Sequence, residues 1–148
     1  MKTSRRIARE GVLQGLYSFL LGQKEVIDIA SYLLATPHLS RVDRSFFENA
    51  LMGVIANKDE LDEKLQPFVD RNLMEVSPIE RSILWLGAYE MLYHPETPCR
   101  VIMNEAIELA KVFGGTDGHK YVNGVLDKLA KSLRPIEMSR SKQNNGRV

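Results

Sequence analysis

Residues 77 to 92 read SPIERSILWLGAYEML, and this stretch decides the fold class. Ser77 before Pro78 and Glu80 is a helix start. The serine hydroxyl accepts the Glu80 amide, proline is tolerated at the first helical position, and the glutamate reaches back to the Ser77 amide. Ile79, Ile83, Leu84, Leu86, Ala88, Met91 and Leu92 then cover most of the helix circumference. A helix that is apolar nearly all round belongs in the middle of a core. Trp85 is read as part of that core, the exposed anchor being the alternative. HPETP, residues 94–98, ends the helix.

The flanking segments carry the same period. From about Ser4, the residues Ala8, Val12, Leu16 and Phe19 follow steps of four, four and three, with Gly22 as the stop. A second helix runs from about Glu25 to Ala35 on Val26, Ile29, Ala30 and Leu33, and Pro37 breaks the chain. Asp43 is placed to cap a third, long helix. Its stripe is Phe47, Leu51, Val54, Leu61, Leu65 and Phe68, with Lys58 the polar exception, and Pro67 bends or ends it. Beyond the central helix, Ile102, Ala106, Leu109, Ala110 and Phe113 form a buried stripe from Pro98 to Gly114-Gly115. Val122, Val125, Leu126, Leu129 and Leu133 form another, capped by Asp117 and stopped by Pro135.

No segment alternates over strand lengths, so the expected class is all-α. The bundle has about six to seven helices in two sequential subdomains, about 1–74 and 75–135. Residues 136–148 show no usable periodicity and are expected to be a disordered tail.

Composition narrows the function. The 148 residues are 44% hydrophobic and 26% charged, which gives one ordinary globular core. A formal net charge of +1 leaves any nucleic-acid binding to local basic clusters. The single cysteine, Cys99, excludes an intrachain disulfide and fits a reducing compartment. No secretion signal or bilayer-length apolar run is seen, so a cytoplasmic protein is expected.

Catalytic patterns are weak. His38, His94, His119 and Cys99 share no metal-ligand spacing such as i, i+4 on a helix. Serine or cysteine nucleophiles come with no elbow motif. FGGTDGHK, residues 113–120, has glycines but follows a helix, not a strand, so it is no phosphate loop. Neither an enzyme nor a cofactor or metal is expected.

Binding patterns are stronger. Lys2, Arg5, Arg6 and Arg9 cluster at the N-terminus. Arg6 and Tyr17 lie eleven residues apart, close to three turns, on nearly one face. Arginines and an aromatic on one face hold phosphates and stack on an unpaired base. The alternative is a frayed, solvated terminus with Tyr17 half buried. Glu105 reads as part of a solvated face. Asn104 and Asn123 read as structural groups binding backbone carbonyls where the last two stripes meet.

Four stretches carry a resemblance: RRIAREGVLQGLY (5–17), SPIERSILWLGAYEML (77–92), IMNEAIELAKVFG (102–114) and HKYVNGVLDK (119–128). From about Arg5 to Pro135 the chain resembles the NusB family of bacterial transcription antitermination factors, and the last two stretches together are highly specific. The resemblance implies an all-helical adaptor that binds boxA RNA together with NusE, a small-subunit ribosomal protein. In the antitermination complex it would help RNA polymerase pass terminators in ribosomal RNA operons. It implies RNA-facing roles for Arg5, Arg6, Arg9 and Tyr17, and for Phe113, Asp117, Lys120 and Tyr121. It places partner contact on the helices starting at Ser77 and Pro98, and it leaves a homodimer open. A related helical domain precedes some ribosomal RNA methyltransferases. Their catalytic unit has no counterpart here, although that module too implies RNA binding.

Two departures bear on the charge. Ile7 interrupts the arginine cluster, and the tail adds Arg140, Lys142 and Arg147 to Arg134. The runner-up function is a protein-interaction module with weak RNA affinity of its own.

Overall fold

The computed structural model describes residues 3–22, 25–39 and 43–145. Among them are eight α-helices and no strand: α1 Ser4–Leu20, α2 Val26–Leu34, α3 Arg44–Ala56, α4 Lys58–Leu65, α5 Pro78–Tyr93, α6 Cys99–Phe113, α7 Gly118–Leu133 and α8 Pro135–Asn145. Short 3-10 turns at Pro37–Leu39, Gln66–Phe68 and Leu73–Glu75 link them. The all-α expectation holds.

The start of α5 is built from its sequence, with one difference. The Ser77 hydroxyl accepts the Glu80 amide at 3.2 Å. The Glu80 carboxylate, however, accepts from that same hydroxyl, not from the Ser77 amide. Residues 82–91 of α5 are then buried without interruption, which makes α5 the axis of the molecule. It packs against α1, α3, α4, α6 and α7. Trp85 is 1% exposed, so it is core. Its indole N–H donates to Asp62 Oδ1 at 2.6 Å, satisfying the one polar atom that burial would orphan.

The expected long third helix is two helices. Asn57, at φ −111° and ψ 17°, ends α3 and precedes α4. Its side-chain amide donates to the Gly53 carbonyl at 2.7 Å. This is the local competition with the helix ladder that asparagine favours. The apolar stripe survives the break because Leu61 and Leu65 remain fully buried.

One continuous core joins residues before and after the loop at 69–77, from Ala8 to Ala130. Gly53 on α3 is part of that join. A Cβ there would lie 2.5 Å from the Tyr89 hydroxyl of α5, so only glycine lets the two helices approach this closely. A buried ion pair also crosses the join. Arg9 of α1 donates through Nε and Nη2 to both Glu90 carboxylate oxygens at 3.0 and 2.7 Å.

The expected tail is helical over Pro135–Asn145, and α8 packs on α7. The anchor is Arg134. Its guanidinium donates to the carbonyls of Glu90, Met91, His94 and Thr97, at 2.6 to 3.3 Å. It also donates to Glu137 at 3.1 Å. The other Glu137 oxygen accepts the Cys99 amide at 2.6 Å. Two residues near the α7–α8 junction thus close the C-terminal end of α5 and the N-terminal end of α6. Periodicity misses this, because it reads apolar residues and the anchor is polar.

Candidate nucleic-acid interface

The residues singled out in sequence fall into two groups, with Lys2 lying outside the described residues. The first group is on α1. Arg5 donates to Asp43 at 2.8 Å and lies over the Phe46 ring, 4.7 Å from its centroid. Asp43 also accepts the Phe46 amide as the α3 cap. The Arg5 guanidinium and that amide together hold the Asp43 carboxyl below its ordinary range.

Arg6 is held by Glu105 of α6, Nε and Nη2 each donating at 2.9 Å. Glu105 is therefore an inter-helix clamp and not part of a solvated face. A small cleft between α1 and α6 brings Arg6 together with Glu10, Glu105, Glu108 and Phe113. Bonding to Glu105, with the more distant charges of Glu108 and Glu10, raises the Arg6 guanidinium pKa further. A phosphate approaching Arg6 meets this acidic surround.

Arg9 contradicts its sequence reading. Its side chain is 5% exposed and committed to Glu90, where an exposed basic face was expected. Tyr17, by contrast, is 36% exposed on α1.

The second group surrounds the α6–α7 turn. Gly114 lets the chain leave α6, since a Cβ there would sit 2.6 Å from the Ala110 carbonyl oxygen. Phe113 just before it is 36% exposed, so it does not belong to the buried stripe in which periodicity placed it: it ends the helix where the chain turns away from the core. Asp117 adopts φ +62°, the only positive φ of a non-glycine residue among those described. Its backbone carbonyl begins the α7 ladder by accepting from the Lys120 and Tyr121 amides. Its side chain makes no cap hydrogen bond, which corrects the side-chain cap reading. The carboxylate lies instead 3.3 Å from Lys120 Nζ, in an exposed pair. The left-handed conformation costs energy for any residue with a Cβ, least for Asp and Asn.

Tyr121 follows on α7. Its hydroxyl is 3.5 Å from Asp70 Oδ1, and the Arg71 guanidinium lies over its ring, 5.4 Å from the centroid. Burial, then the Asp70 charge, raise the Tyr121 hydroxyl pKa. Asp70 and Arg71 were not singled out in sequence. They lie in a loop, and Asp70 and Tyr121 are 51 residues apart, a separation with no periodic signature. Glu80 reaches the same region, its carboxylate lying where a Cβ on Gly118 would go. Asn104 and Asn123 are exposed, and no backbone hydrogen bond supports the structural role expected of them.

Among the described residues no three His, Cys, Asp or Glu side chains gather as a metal site. No described helix is long and apolar enough to cross a membrane.

Fold and surface together define a small all-helical protein whose candidate site is an exposed patch of aromatic and charged side chains. Residues 6–131 match the family model described as the NusB family, and the chain belongs to that family. It is 48% identical over 145 residues to the transcription antitermination protein NusB of Thiobacillus denitrificans, covering 98% of this chain and 100% of that one. It is 53% identical over 142 residues to the NusB protein of Dechloromonas aromatica, covering 96% and 87%. Among solved structures, NusB of T. maritima superposes with a TM-score of 0.77 at 29% identity, over 88% of this chain and 93% of that one. A NusB chain crystallised with NusE and double-stranded RNA superposes at 0.80 and 19% identity, covering 89% and 99%. That second likeness shows the fold.

Proposed function

We propose that this protein is a transcription antitermination adaptor that binds boxA RNA together with NusE and acts within the RNA polymerase complex on ribosomal RNA operons. We assign it to the cytoplasm and give it no catalytic role. The observation that carries the reading is the α6–α7 turn. There Phe113 is exposed at the end of one helix, and Lys120 and Tyr121 begin the next. Aromatic faces beside a cation suit unpaired bases and their phosphates. Full-length similarity to antitermination proteins of the NusB family supports it, as does the NusE and RNA content of the structurally similar crystal.

Within this reading the RNA-facing set is Tyr17, Phe113, Asp117, Lys120 and Tyr121, with Arg5 at its edge. Arg9 leaves the set, and Arg6 contributes only if Glu105 releases it.

A second reading, a protein-interaction module with weak RNA affinity, is favoured by one observation. The Arg6 and Arg9 guanidiniums are both bonded to glutamates, so these two arginines offer RNA little free positive charge. Fluorescence anisotropy separates the two. A labelled boxA RNA and a scrambled control are titrated with the full chain, with and without NusE, across a salt series. Preference for boxA that strengthens with NusE is the adaptor result. Equal binding to both RNAs, unmoved by NusE, would defeat it.

A further inference from the structure

We infer that Arg71 is an RNA-binding residue acting as a planar base-stacking platform, its guanidinium backed by Tyr121 and fixed by Asp70. The inference rests on the RNA-binding reading above and extends it to a residue outside the expected set.

Three observations carry it. Arg71 donates to both carboxylate oxygens of Asp70, Nε at 2.8 Å and Nη2 at 3.1 Å. A two-point bond fixes the plane of a guanidinium as well as its position. Next, the guanidinium lies over the Tyr121 ring, while the Tyr121 hydroxyl reaches Asp70. The three side chains therefore brace one another across the loop and α7. Finally, the Arg71 side chain stays 47% exposed, so solvent still reaches the braced group.

This arrangement changes how Tyr121 works. Arg71 lies over the tyrosine ring, so a base arriving from that side meets the guanidinium first. Unpaired bases stack on arginine planes as well as on aromatic rings. Asp70 already neutralises the Arg71 charge, so its contribution is flat area and cation–π contact more than phosphate attraction. Lysine, a point charge on a flexible stem, cannot reproduce it.

The test compares Arg71→Lys and Arg71→Ala with the unsubstituted full chain. Anisotropy on the labelled boxA RNA is read over a salt series, and thermal melts verify folding. Arg71 bonds only at the surface, so both variants should melt as the parent does. Both are expected to bind roughly tenfold more weakly, in line with loss of one stacked base, with the salt dependence of Arg71→Lys unchanged. Parental affinity in Arg71→Lys beside a loss of affinity and salt slope in Arg71→Ala would make Arg71 a simple charge and overturn the inference. So would parental affinity in both variants. A parent chain that fails to bind boxA RNA even with NusE overturns the RNA-binding reading itself, and that result precedes any variant.

Discussion

Arg9 of α1 and Glu90 of α5 form a two-point ion pair with side chains only 5% and 2% exposed. The Arg9 guanidinium also lies over Phe46 of α3, 5.1 Å from the ring centroid. A residue that reads in sequence as an RNA contact is thus a bolt between helices. Removing one partner leaves a buried charge uncompensated, which costs about 3–5 kcal/mol. Arg9→Ala should therefore lower stability in urea by about that amount, while the salt slope of RNA binding by the folded protein stays the same. An apolar pair, Arg9→Met with Glu90→Leu, should recover much of the loss.

Glu105 holds Arg6, which is 40% exposed, at the edge of the candidate interface. Glu105→Gln weakens that hold and should free the guanidinium for phosphate. RNA affinity is expected to rise a few-fold, and the logarithmic salt slope to steepen by about 0.7 for one added contact with a single strand. The stability loss should stay near about 1 kcal/mol, since water reaches the Arg6 side of the pair and screens it. Weaker binding in this variant would show that Arg6 serves RNA only through its fixed position.

Asp117 sits at positive φ with an exposed carboxylate near Lys120. Asp117→Asn keeps a residue that tolerates this conformation and removes a charge that repels phosphate. Tighter RNA binding with unchanged melting temperature is expected. Because no side-chain cap bond exists, a large loss of stability in this variant would contradict the observed geometry. Asp117→Gly removes the strain as well, and should stabilise α7 unless the added freedom of the unfolded chain offsets it.

The Asp43 carboxyl is held low first by Arg5 and then by the Phe46 amide. Its folded pKa lies below its unfolded one, so the stability it contributes is present above the unfolded pKa, near about 4. That contribution is lost as pH falls through the folded value. Asp43→Asn should therefore flatten the acid limb of the stability profile below about pH 5 and leave the neutral region less stable but parallel. An acid limb identical to the parent's would show that the pairing does not persist in solution.

Arg134 and Glu137 close α5 and α6 from the chain that follows α7. Glu137→Ala leaves the Cys99 amide, a helix-start donor, without its acceptor, and should cost about 1–2 kcal/mol in denaturant unfolding. Truncation at Ile136 removes the same group, so reduced RNA binding by that truncated chain would report lost structure as well as lost tail charge. Truncation after Met138 keeps both anchors. Unchanged RNA affinity in that shorter chain is expected if Arg140 and the residues beyond it add no binding.

Part of this was legible in advance. Ser77, Pro78 and Glu80 announced α5, and its apolar circumference announced its central place, because capping and periodicity act over a few residues. Phe113 and Lys120 came only through the family resemblance, since periodicity alone placed Phe113 in a buried stripe and the structure leaves it 36% exposed. The break at Asn57 was not, since the apolar stripe continues through it and only a side-chain bond to Gly53 ends the helix. Nor was the fate of the arginines. Charge on a helix face looks the same in sequence whether it meets water, RNA or a glutamate 81 residues away.

The sequence by itself determined that the chain is all-helical, where most helices start and stop, which faces are buried, and the family resemblance. Those properties follow from local hydrogen bonding, a 3.6-residue period and specific motifs. Only the tertiary structure decided which polar groups meet. It gave Arg9 to Glu90, Arg6 to Glu105, Arg134 to the end of α5, and Arg71 to Tyr121. Electrostatic partnership depends on distances of a few ångströms between residues far apart in the chain, and no periodicity encodes those distances.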